Sequence, residues 1–160
     1  MENKINTASQ LTFLERIESL KAGILSGSMT FLTFSLLIGF NILILANQFE
    51  ALEPVEIIFD IRLIVRSAIA FISGFLFGVT YRYVVRSDRN PHLNSGAVLA
   101  FGLVRGLGEL DGGLNTSENG WFFAVVVAES IVLFAMARIV LDLALKQGWV
   151  KPFNSNSNWG

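Results

Sequence analysis

The stretch AFGLVRGLGELDGG, residues 100–113, decides how this chain is to be read. It is apolar and rich in glycine, as a membrane helix is, yet it carries Arg105, Glu109 and Asp111. If it crosses a bilayer, the chain makes an even number of passes. If it lies in water, the number is odd and the whole orientation changes.

The surrounding composition favours a membrane protein. Of 160 residues, 52% are hydrophobic and 16% charged, against about 25% charged in a typical soluble domain. Residues 22–46, AGILSGSMTFLTFSLLIGFNILILA, contain no charge at all. A hydrocarbon core about 30 Å thick needs roughly 20 helical residues, so this run is long enough to span. It is too long, and too far from the N-terminus, for a cleaved signal segment. Residues 63–83 and 121–141 give two further apolar runs. Asn90 and Pro91 form a helix-start signal, a capping side chain followed by a residue whose missing N–H costs nothing there. A helix from 91 to 110 is about 30 Å long.

Charge placement bears on whether 91–110 crosses. Lys4, Arg16 and Lys21 precede the first run; Arg82, Arg86 and Arg89 follow the second; Arg138, Lys146 and Lys151 follow the last. Between these basic segments lie Glu50, Glu53, Glu56 and Asp60, then Glu109, Asp111 and Glu118, offset only by Arg62 and Arg66. Basic loops stay on the cytoplasmic side. The alternation predicts an all-α bundle of four transmembrane helices, over 22–46, 63–83, 91–110 and 121–141, with both termini on the cytoplasmic side. Tyr81, Tyr83, Trp121 and Trp149 fall where interfacial aromatic anchors are expected.

Four crossings bury Arg105. An arginine at the centre of a membrane helix costs roughly 2.5–3.5 kcal/mol, so a partner is expected. Glu129 on the fourth span has a similar depth, which predicts an interhelical Arg105–Glu129 pair. Glu109, one turn from Arg105, competes for it. Arg66 and Asn41 complete a polar network in the outer half. Such a network can fix helix register, or it can mark an ion, proton or small-ligand route. Gly74 with Gly78, and Gly102 with Gly106, are spaced GxxxG, which lets helix backbones approach closely.

Residues 7–20 have Leu11, Leu14, Ile17 and Leu20 at helical spacing, with Thr7 and Gln10 placed as a capping box. They predict a short N-terminal amphipathic helix on the inner membrane surface or against a partner, or else an extension of the first span. Residues 1–148 form one membrane domain and 149–160 a polar C-terminal tail, whose end NSNSNWG, 154–160, is expected to be disordered. The absence of cysteine removes disulfides and thiolate metal sites. His92, the single histidine, leaves no bis-histidine haem site within one chain and fits a helix-start residue.

The run YRYVVRSDRNPHLNSGAVLAFGLVRGLGELDGG, residues 81–113, resembles a family of small integral membrane proteins of cyanobacteria, with chloroplast homologues. No residue roles carry over from that family. The resemblance implies a photosynthetic organism, and a thylakoid or plasma membrane of cyanobacterial type. With no nucleophile–base pair, metal cluster or phosphate loop in view, and no cofactor implied, the expected role is non-catalytic. It is an accessory, scaffold or assembly factor for a larger membrane complex, with membrane lipids and a membrane-protein partner or second copy as partners, and no nucleic acid. The alternative is a small transporter or ion-conducting protein that uses Arg105 and Glu129.

Overall fold

The computed structural model describes residues 2–48, 61–84, 91–111 and 120–152. Within these, the side chains of 2–12, 42, 44–48, 62, 91, 110–111 and 120–123 are not described. The acidic connections over 50–60 and 112–119, the basic loop over 86–90, the Asn90 cap, the Gly112–Gly113 stop and the tail from 153 lie outside the described residues. So do the Trp121 side chain and those of Thr7, Gln10 and Leu11.

Four helices pack as a bundle: α1, Glu2–Gln48; α2, Ile61–Val84; α3, Pro91–Asp111; α4, Gly120–Lys146. Three contain segments long and apolar enough to cross a membrane: Phe13–Asn41, Leu63–Val84 and Ala124–Lys146. They suggest an integral, multi-pass membrane protein. The described part of α3 is less apolar than those three segments, because Arg105, Glu109 and the polar start around His92 and Asn94 dilute its apolar run.

The N-terminal segment is not a separate helix. It continues unbroken into the first span, because nothing between Leu20 and Ala22 interrupts helical hydrogen bonding and Lys21 is a good helix former. Thr7 and Gln10 therefore sit inside α1, where a capping box has no free N–H groups to satisfy. At 47 residues α1 is about 70 Å long, more than twice the thickness of a bilayer core.

Neighbours in sequence pack antiparallel. Along α1 and α2, Thr30 meets Gly74, Ala22 and Ser26 meet Gly78, and Ser19 meets Arg82. A Cβ on Gly78 would collide with the backbone carbonyl of Ala22, so the two helices approach at backbone distance there. Along α3 and α4, a Cβ on Gly102 would stand 2.9 Å from Ile131 Cα, and one on Gly106 2.9 Å from Val127 Cα. Phe77 joins the two halves, with ring centroids 5.3 Å from Phe101 and 5.2 Å from Phe134. Edge-to-face and tilted pairs at this spacing are favourable beyond the area they bury.

Candidate functional site: two buried arginines

The end of the bundle where α2 finishes is organised around a residue that in the sequence reads only as a loop charge. Arg82, in the last turn of α2, is 1% exposed. Its Nε donates to the Lys151 carbonyl at 2.8 Å. Nη1 donates to the Glu15 carbonyl at 2.9 Å and to Ser19 Oγ at 2.6 Å, and Nη2 pairs with the Glu15 carboxylate. The planar fork thus ties α1, α2 and the chain beyond α4 into one knot. An ammonium, with a single point of charge, could not cover these directions at once.

The segment after α4 is built to reach that knot. Gly148 adopts φ of 75°. The Trp149 N–H bonds back to the Ala144 carbonyl at 2.9 Å, and the Gly148 N–H to Leu145 at 3.3 Å. This is a Schellman stop, in which glycine takes the left-handed position at no steric cost. It turns Val150 into the core at 2% exposed and brings the Lys151 N–H within 3.0 Å of Glu18 Oε2. The polar tail expected from 149 onwards therefore begins with a docked segment, through Lys151. Beside it, Tyr81 is buried and donates to Asp142 at 2.7 Å, so it serves the core rather than the membrane interface. Tyr83 is exposed, with its hydroxyl 3.2 Å from Ser19 Oγ. Arg138 donates to Ser95 at 3.0 Å and lies 3.5 Å from Asp142, which ties α3 to α4.

In the other half, Arg105 is 8% exposed. It pairs with Glu109 at 2.9 Å, one turn along its own helix, rather than with Glu129 across helices. Glu129 instead accepts from Asn41 of α1 at 3.3 Å. The i,i+4 pair needs no matching of separate helices and is available as soon as α3 forms, so the local partner wins. Arg105 Nε and Nη1 are buried and have no hydrogen-bond acceptor among the described residues. Their guanidinium stands 5.7 Å from the Phe34 ring, a cation–π contact that compensates only in part. Arg66 is exposed on α2, close enough for its charge to bear on Arg105. The five polar residues expected to form one network thus separate into two groups: Arg105, Glu109 and Arg66 between α2 and α3, and Asn41 with Glu129 between α1 and α4.

A groove of about 1000 Å³ opens between α2 and α3. Arg66, Arg105 and Glu109 line one end, and Leu76, Phe101 and Phe134 the other. No protein-family model matches the chain, and neither a curated protein nor a solved structure matches it significantly. What is established is a small helical protein with three candidate membrane spans.

Proposed function

We propose that the protein is a non-catalytic integral membrane accessory or scaffold factor that meets its partner through the protruding end of α1. The observation that carries this reading is the continuity of α1 beyond the knot at Arg82. Arg82 holds Glu15 and Ser19, while α2 ends at Val84. Residues 2–14 therefore extend past the bundle as roughly 20 Å of helix. Phe13 and Leu14, at the base of that arm and the first residues of the candidate span, are exposed at 63% and 58%. A braced helix with apolar residues facing outward suits capture of another helix or of an assembling subunit.

The same reading has four crossings with both termini inside. α2 and α4 run parallel, since Phe77 faces Phe134 and Tyr81 faces Asp142 in the same order. If both cross the bilayer, the chain between them returns, and α3 is the helix available to do so. Its pairing with α4 from Ser95–Arg138 to Gly106–Val127 supports a shared range of depth. Assignment to a thylakoid or plasma membrane of cyanobacterial type rests on the resemblance over 81–113 alone.

The test is purification of the full chain in a mild detergent, with mass spectrometry of co-purifying subunits. Partners are recovered with the unaltered chain and lost with Leu14→Glu, while the melting temperature stays the same. Recovery of a lone monomer in every mild detergent contradicts the reading. Conduction is the second reading, favoured by the two unpaired nitrogens of Arg105. It requires a solute flux in liposomes that Glu129→Gln abolishes without unfolding the bundle.

A further inference from the structure

We infer that the groove between α2 and α3 holds one anionic phospholipid, with its phosphate at Arg66 and an acyl chain running inward to Phe134. The inference rests on the four-crossing arrangement for its depth, and not on the accessory role.

Shape and charge both point to this occupant. From Arg66 to Leu76 is ten residues of helix, about 15 Å, or one leaflet of a core about 30 Å thick. Val65, Ile69 and Leu76 supply one apolar wall and Val104 the other, and the ring of Phe134, itself fully buried, closes the inner end. A free anion would leave that apolar length unused, whereas an acyl chain fills it. At the opposite end two guanidiniums face one carboxylate among the described lining residues, which gives these a surplus of one positive charge. Glu129, the other carboxylate among the described side chains of this half, is held by Asn41 and is not among the described lining residues. Arg66 is exposed and makes the direct contact. Arg105 stands behind it with two nitrogens unpaired among the described residues, adding positive field in a medium that screens little.

Native mass spectrometry of the delipidated full chain, titrated with phosphatidylglycerol or phosphatidylcholine in mixed micelles, tests this. One phosphatidylglycerol binds per chain, in preference to phosphatidylcholine. Arg66→Gln reduces that preference about fivefold. Glu109→Gln, which removes the opposing charge, raises it. Ile69→Trp fills the groove and abolishes retention of either lipid, while the melting temperature shows the bundle intact. Equal retention of both lipids with no effect of Arg66→Gln overturns the proposal, as does retention that survives Ile69→Trp. Single-cysteine labelling that puts residues 88 and 115 on one side would instead remove the four-crossing premise. Loss of co-purifying subunits with lipid preference intact would count against the accessory role alone.

Discussion

The two buried arginines show opposite ways of carrying a guanidinium into a helix bundle. Arg82, at the end of α2, spends its donors on two carbonyls, a hydroxyl and a carboxylate drawn from α1 and the segment after α4. Arg105, in the other half, has one acceptor from its own helix and two buried nitrogens left over. A saturated guanidinium braces everything it touches. An unsaturated one is a local liability that becomes useful only when something else completes it. The comparison gives the Arg82 end a bracing role and leaves the Arg105 half as the place where the proposed lipid would act.

Removing the saturated arginine should have the largest effect. Arg82→Ala strands the Glu15 carboxylate and two carbonyls, and should destabilise the bundle by about 3–5 kcal/mol, measured by unfolding in mixed micelles. Arg82→Lys should recover only part of that loss, because an ammonium cannot replace the fork. If Lys restores full stability, the knot is a point-charge interaction and the contrast with Arg105 weakens.

Backbone contact comes next. Gly78→Ala forces a methyl against the Ala22 carbonyl, and should cost about 1–3 kcal/mol in the same assay. Gly39→Ala meets no atom within 4 Å and should stay within about 0.5 kcal/mol of the unaltered chain. Equal effects at the two positions would mean that close approach is not what Gly78 provides.

Arg105 should give the opposite sign. The double variant Arg105→Met with Glu109→Gln removes an incompletely bonded ion pair and should be neutral or stabilising by about 1 kcal/mol. A loss comparable to that of Arg82→Ala would erase the distinction between the two halves. Smallest is Lys21→Ala, which deletes an exposed 2.9 Å pair with Glu18 and should change stability by less than about 0.5 kcal/mol.

Helix positions were largely legible in the sequence because apolar runs and Pro91 are local signals. The run at 63–83 became Ile61–Val84, and 91–110 became Pro91–Asp111. The fourth helix extends to Lys146 because LDLALK keeps good helix formers beyond the apolar run. The merger of residues 2–20 with the first span was less visible, since a capping signal can occur in mid-helix. The knot at Arg82 was not legible at all. Its partners at Glu15, Ser19 and Lys151 are far away in the chain, and the α1–α2 register that joins them is set by backbone contact at Gly74 and Gly78. Gly148 was the one available clue to the docked segment, because a glycine after a basic last turn marks a helix stop. Arg105 is legible as a buried charge with two expected partners, Glu129 across helices first and Glu109 one turn along as its competitor, and the structure pairs it with Glu109.

The account depends most on α3 carrying Arg105 through the membrane core beside α4. The chain has no cysteine, so Asp88→Cys and Asn115→Cys can each be labelled alone by an impermeant maleimide in sealed vesicles of known orientation. The account predicts that position 88 reacts from the cytoplasmic side and position 115 from the opposite side. Reaction of both from the same side would contradict it.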